Sequence, residues 1–316
     1  MNDFRTAGLR PASSPAGRRR SIIFLLLLAA TAARANFNEF RDVPTDPALA
    51  AKMHHAAEVT LQQFPKLKPE DIAISIVDVN AMTRGDHQGD APFYPASVIK
   101  LFFMTDVYAT HKEKVSDVER ALKEMITLSD NDATAYIVDI LAKTSPGPEL
   151  QGRALRRFIE RRRAINRRFQ KLGYVKVSAM MKPWSFGPFG RDRQALGKDR
   201  VNRNRLTANE CASLLFWIVR GRAPSSDAQM TLLQRPLDPL RQDENQVKEF
   251  IGESLPIGSK LWSKAGWTSE VRHDAAYLEL PSGQKFVLTI FTRGIASDVT
   301  LVPAITRNVL SELLVH

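Results

Sequence analysis

A single cysteine in 316 residues rules out a disulfide framework within the chain. That residue, Cys211, opens the apolar run Cys211-Ala-Ser-Leu-Leu-Phe-Trp-Ile and has no histidine near it in sequence. It therefore reads as a buried small apolar side chain and not as a thiol nucleophile. Histidine is also sparse: His54, His55, His87, His111, His273 and His316 never fall at H-x-H or H-E-x-x-H spacing. No zinc hydrolase is indicated and no metal is implied. There is no glycine-rich phosphate loop and no G-x-S-x-G elbow, and no cofactor is expected. Internal repeats are lacking. No apolar run reaches the roughly 20 residues of a comfortable membrane span.

What is present begins with a leader-like segment. Arg18-Arg19-Arg20 precedes the uncharged apolar stretch Ile22 to Ala30, and Ala33-Arg34-Ala35 follows with a small-x-small pattern. Residues 1–35 are expected to be a signal peptide cleaved near Ala35, with the chain exported to the periplasm or beyond. An uncleaved anchor and a twin-arginine signal at Arg19-Arg20 stay open as alternatives. The formal charge of +11 is local. Arg153–Lys171 alone carries nine basic residues against one acid, and the rest of the exported part is close to neutral. A whole-protein nucleic-acid footprint is not indicated. The basic segment could be a solvated helix face, or it could touch an anionic membrane or cell-wall polymer.

Local patterns give an element order. Asp46 ahead of Pro47 predicts a helix over 47–64, and the β-branched run from Ile72 to Val79 predicts a strand. Turn residues at 83–89 suggest a hairpin tip. An apolar helix is expected from Ser97 to about Tyr108. Ser116 with Glu119 forms a capping box for a helix to Leu128, and 132–141 is a third. Apolar positions at Leu155, Phe158, Ile159, Ile165, Phe169 and Leu172 share one face of a further helix. Pro183 to Gly190 reads as a loop. Thr207 and Glu210 open a helix to Arg220. Segments 260–263, 275–280 and 285–292 read as strands, with a turn at 281–284, and 298–315 as a closing helix. The expected class is α+β, an antiparallel sheet flanked by terminal helices plus an inserted all-helical subdomain. The sheet part spans 45–100 and 256–316, and the helical part about 101–255.

Three short motifs carry chemistry. In Ser97-Val-Ile-Lys100 the serine and lysine share a helix face, and a lysine held among Ile99, Leu101, Phe102, Phe103 and Met104 can lose its proton near neutral pH. Alone the motif is common, and a capping serine with a snorkelling lysine would explain it. Ser129-Asp130-Asn131 lies between two helices, where plain capping is the simpler account. Lys264-Ala265-Gly266 ends a short strand, and glycine there would let a substrate approach the backbone.

In this order the motifs resemble the signature of the class A β-lactamases and penicillin-binding proteins, S-x-x-K, S-D-N and K-T-G. Leu206-Thr-Ala-Asn-Glu-Cys-Ala-Ser-Leu-Leu and Arg272-His-Asp-Ala-Ala-Tyr-Leu extend the resemblance over roughly 45–315. It implies a β-lactamase/transpeptidase-like fold, with Ser97 as acylated nucleophile and Lys100 as its proton acceptor. Ser129 would relay a proton to the leaving nitrogen, and Lys264 would hold Ser129 and the substrate carboxylate. Asn131, Ala265, Gly266, Trp267 and Arg272 would bind substrate, with the Ser97 and Trp267 amides as oxyanion hole. The chain departs from the family in four ways: Ser97 and Ser129 are unusually close in sequence, 143–200 is long, R-x-E-x-x-L-N is missing, and Ala265 replaces Thr or Ser. Asp192 stands nearest to the place of the missing glutamate, as deacylation acid or as an ordinary salt-bridged residue. The implied function is opening of β-lactam rings. A D-alanyl-D-alanine carboxypeptidase acting on peptidoglycan peptides and a non-catalytic cell-wall binding module are the alternatives.

Overall fold

A computed structural model describes residues 40, 43–112, 114–184, 186–237 and 246–314. The expected signal peptide at 1–35 lies outside the described residues. The first helix, α1 (Pro47–Gln63), starts where the sequence indicates, because the Asp46 carboxylate accepts from the amides of Ala48 and Leu49. It is followed by β1 (Ile72–Asp78), β2 (Thr83–His87), α2 (Lys100–Ala109), α3 (Ser116–Lys123) and α4 (Asn131–Ala142). Then come α5 (Gly152–Lys171), α6 (Gly190–Leu196), α7 (Ala208–Val219), α8 (Ser226–Leu233) and β3 (Gln234–Arg235). The chain closes with β4 (Lys260–Trp267), β5 (Val271–Glu279), β6 (Lys285–Arg293) and α9 (Leu301–Leu314).

The strands form one antiparallel sheet in the order β2-β1-β6-β5-β4-β3. Both ends of the chain contribute to it, as expected for the α+β class. Period-two alternation divides the side chains between two layers. On one side Leu261, Ala265, Ala276, Leu288 and Ile290 pack against α1 and α9. On the other, Ala275, Tyr277, Val287 and Phe291 meet α7, α2 and the remaining helices. Thr207 caps α7 by accepting from the Glu210 amide at 3.1 Å, and Cys211 is fully buried in that helix, where burial pushes its thiol up.

Four local expectations are corrected. Val115, and not Ser116, is the cap residue of α3, whose last turn widens into a π-helical turn at Glu124–Leu128. The turn-rich stretch at 83–89 contains β2, stabilised by pairing with β1 and by Gly85, where a side chain would strike the Leu49–Ala50 backbone at 2.6–2.9 Å. β4 continues past Ser263 to Trp267, because Arg272 to Ala275 of β5 supply pairing partners that local propensity does not reveal. The middle of the chain is not all-helical, since β3 joins the sheet edge from within it.

Candidate active site

Ser97 lies in a 3₁₀ turn (Ala96–Ile99) that runs into α2. Its neighbours Ala96, Val98 and Ile99 are buried, whereas Ser97 itself stays partly accessible. Ala96 adopts φ +45°, a left-handed conformation held immediately before the serine. The turn is seated on β4. A Cβ at Gly266 would lie 2.6 Å from the Ser97 amide nitrogen and 2.7 Å from that of Val98, so only glycine lets strand and turn approach this closely. His273, opposite Gly266 in the β4–β5 register, fastens the segment before the serine: its Nε2 donates to the Tyr94 carbonyl at 2.8 Å, and its Nδ1 accepts from the Thr292 amide at 3.0 Å. Burial lowers His273 to about 4, which keeps the ring neutral as this pattern requires.

Lys100 is fully buried at the start of α2. Its Nζ donates to Ser129 O at 2.6 Å, Ser129 Oγ at 3.2 Å and Asn131 Oδ1 at 2.9 Å. Burial lowers its ammonium to about 7, against an opposing pull from Asp130. Ser129 sits between the π-helical turn and α4 with φ +57°, another left-handed residue at the meeting point of the site. Asp130 accepts from the Ala133 amide and caps α4, so the second motif both caps a helix and presents Ser129 and Asn131.

Lys264, on the same face of β4 as Gly266, reaches Ser129 Oγ at 3.0 Å from the other side. It also donates to Gln246 Oε1 at 2.5 Å and to the Ala265 carbonyl at 2.7 Å. Burial first, then the charges of Lys100 and Arg235, hold its ammonium well below the ordinary lysine range, and Asp274 opposes them. One serine hydroxyl is thus flanked by two buried lysines, an arrangement in which each positive charge disfavours the other.

Sequence reasoning missed the groups that support this arrangement. Gln246 is buried and donates to the carbonyls of Ile126 at 3.1 Å and Thr127 at 2.9 Å, which ties Lys264 to the π-helical turn before Ser129. Arg235 of β3 donates to the Ile126 and Ser263 carbonyls at 3.0 and 2.9 Å. Asp274 lies in the opposite side-chain layer of the sheet, accepts from the Ile251 amide at 3.2 Å, and is raised to about 7 by burial.

Three expected assignments change. Ala265 is not a substrate contact through its side chain, because its methyl is fully buried in the layer shared with α1 and α9. Asp192 is not set as a deacylation acid. It accepts from Arg162 at 2.8 Å and lies 3.8 Å from Lys182, in a buried cluster completed by Asp139. Two carboxylates and two cations balance there, the condition under which buried charges are tolerated. Arg272 is already engaged, donating from Nη1 to Glu249 at 3.1 Å and from Nε to the Ala296 carbonyl at 3.1 Å. Trp267 is partly exposed beside the site and packs on Phe250 with ring centroids 5.4 Å apart.

A family model described as "Beta-lactamase enzyme family" matches residues 109–313. Ser97 and Lys100 lie ahead of this stretch, and their place in the site rests on the geometry above. No curated protein matches the chain. Solved structures that resemble it include a β-lactamase from Sphaerobacter thermophilus DSM 20745, at 19% identity over 84% of this chain and 98% of the other, with a TM-score of 0.58. PBP-A, solved in one form as an acyl-enzyme with penicillin G, has 18% identity over 85% and 97%, with a TM-score of 0.60. The TLA-3 extended-spectrum β-lactamase has 13% identity over 83% and 100%, with a TM-score of 0.61. At these identities the likeness establishes the fold.

Proposed function

The chain belongs to the beta-lactamase enzyme family, and on that premise we propose that it is a serine hydrolase that opens β-lactam rings through an acyl-enzyme on Ser97. The observation that carries this reading is the convergence of Lys100 and Lys264 on Ser129 Oγ beside the turn that bears Ser97. Lys100, lowered to about 7, is neutral in a large fraction of molecules at physiological pH and can take the Ser97 hydroxyl proton. The freed oxygen attacks the carbonyl carbon. The backbone amides of Ser97 and Trp267, brought close by Gly266, are suited to hold the oxyanion. When the carbon–nitrogen bond breaks, the nitrogen takes the Ser129 proton, and Ser129 regains one from Lys100. Water then releases the acyl group from Ser97.

A second reading, a penicillin-binding peptidase acting on D-alanyl peptides, is favoured by the engagement of Asp192 in its ion-pair cluster, which leaves no acid assigned to activate that water. The test is a time course with a chromogenic cephalosporin, with intact-mass readings on the same samples. Multiple turnovers that are lost in Ser97→Ala support the β-lactamase. A persistent single adduct supports the peptidase. Neither adduct nor turnover refutes both and leaves the non-catalytic binding module.

Export to the periplasm or beyond is part of the same reading and is supported by the leader-like sequence. We also propose contact with an anionic membrane or cell-wall polymer. It is supported by the exposed side chains of Arg153, Arg156, Arg157, Arg163, Arg167 and Lys171 along α5. Co-sedimentation with anionic liposomes at low salt is its test, and no pelleting there would refute the membrane form of the contact.

A further inference from the structure

The family resemblance implies three anchors for a substrate carboxylate: a hydroxyl at position 265, the Lys264 ammonium and the Arg272 guanidinium. This chain has depleted that set. Position 265 is an alanine buried in the far layer of the sheet. Lys264 directs its donors to Ser129, Gln246 and a backbone carbonyl. Arg272 already holds a carboxylate, that of Glu249, at 3.1 Å.

The Arg272–Glu249 pair is a built contact. Glu249 adopts φ +70°, in the left-handed region, and its amide donates to the Glu253 carboxylate at 2.6 Å. That conformation is costly for a residue with a side chain and persists only where its surroundings impose it. The guanidinium also lies 5.1 Å over the Phe250 ring, and Phe250 packs under Trp267. Three residues before Glu249, Gln246 grips Lys264. The stretch 246–250 therefore runs beside β4 from Lys264 to Trp267, and carries a carboxylate along the edge of the cleft. The Glu249 side chain is 39% exposed there, whereas that of Arg272 is 7% exposed.

Resting on the reading of an acyl-accepting cleft at Ser97, we propose that Glu249 is a specificity-determining residue that occupies Arg272 and repels a second carboxylate. The cleft is matched to acyl donors that lack a free carboxylate beside the scissile amide, those in which that group is amidated or esterified. Acids with a free carboxylate must displace Glu249 or sit against its charge, and both weaken their binding. No covalent step beyond acyl transfer is involved.

The experiment compares one cephalosporin with its methyl ester. Dissociation constants are read from tryptophan fluorescence in a Ser97→Ala background, with and without Glu249→Gln, and acylation rates are read in the Ser97 protein. The expected result is that Glu249→Gln tightens the acid by about three- to tenfold and leaves the ester within about twofold. In the chain with Glu249 intact, the ester is expected to bind better than the acid, and its advantage should shrink as salt rises from about 10 mM to about 500 mM. An equal response of acid and ester to Glu249→Gln would overturn the proposal, as would absence of binding by both. If the binding preference is present but Ser97 acquires no adduct, the acyl-enzyme reading fails and the assignment of Glu249 stands.

Discussion

Replacing Gln246 by methionine separates the support of the site from its chemistry. The side chain keeps its length and stays apolar in a buried position, but it loses three hydrogen bonds. Their loss is unequal. The Ile126 carbonyl keeps Arg235 as a donor at 3.0 Å. Lys264 keeps Ser129 Oγ and the Ala265 carbonyl, but one of its three donors has nothing to meet. The Thr127 carbonyl loses its partner but is half-buried, so water can replace part of that bond. An unmet buried polar group costs about 1–3 kcal/mol, and more when charged. The expected loss of stability is therefore about 3 kcal/mol, readable as a shift in urea midpoint at unchanged slope. Ser129 should also lose its fixed position, because the turn before it is no longer tied to Lys264. Misplacing a proton donor by about 1 Å can cost about a hundredfold in rate. Acylation by a chromogenic cephalosporin should fall by roughly that factor. The missing acceptor also favours the neutral lysine, so the Lys264 ionisation should move further down and shift the alkaline limb of the acylation profile to lower pH. Stability within about 0.5 kcal/mol of the parent, together with acylation within about twofold, would refute the reasoning. Lost stability with an unchanged pH profile would leave Gln246 a purely structural role.

Acylation of Ser97 should rise about tenfold per pH unit below 7 and level off above it, since Lys100 must be neutral to accept the proton; Lys100→Met should remove both the limb and the reaction, as read by intact mass. Gly266→Ala should lower acylation by about a hundredfold or more, because its Cβ would have to displace the Ser97 and Val98 backbone; a rate near the parent's would show that β4 can retreat. Asp192→Asn should cost about 3 kcal/mol by breaking a buried pair while leaving release of the acyl group unchanged; slower release at unchanged stability would restore Asp192 as the deacylation acid. Glu210 is 8% exposed and burial raises it to about 7, above its ordinary value of 4.5. Its folded form thus favours the proton, and the stability it contributes is fully present below about pH 4.5 and lost as pH rises through 7. Glu210→Gln keeps the acceptor for the Lys176 amide and should flatten the decline in melting temperature between pH 5 and 8; an undiminished decline would refute this.

The parts of the site legible in the sequence are those whose geometry is local. Ser97 and Lys100 are one turn apart, Ser129 and Asn131 flank a helix cap, and Lys264 and Gly266 share a strand face, so each motif carries its own spacing. The same alternation places Ala265 in the opposite layer, an inference open to the sequence once Lys264 was assigned to the cleft. Gln246, Arg235 and Glu249 carry no such mark. Each acts on a residue brought close only by the sheet: Gln246 and Arg235 meet the carbonyl of Ile126 more than a hundred positions away. Asp192 misled for a related reason, since its position along the chain suggested an active-site acid while its partners, Arg162 and Lys182, come from separate segments. What the motifs give is the list of reacting groups, and what tertiary packing adds is their charge state. Two lysines beside one hydroxyl work as acid and base only if their protons are unequally held. The inequality has named sources. Lys264 has Gln246 and a backbone carbonyl as added acceptors and Asp274 in the opposite layer, whereas Lys100 has only Asp130 against its burial. Burial and the neighbouring cations work against Lys264, so these acceptors are what must keep its proton in place. Moving the amide of residue 246 should therefore disturb the proton balance of Ser129 as surely as altering either lysine.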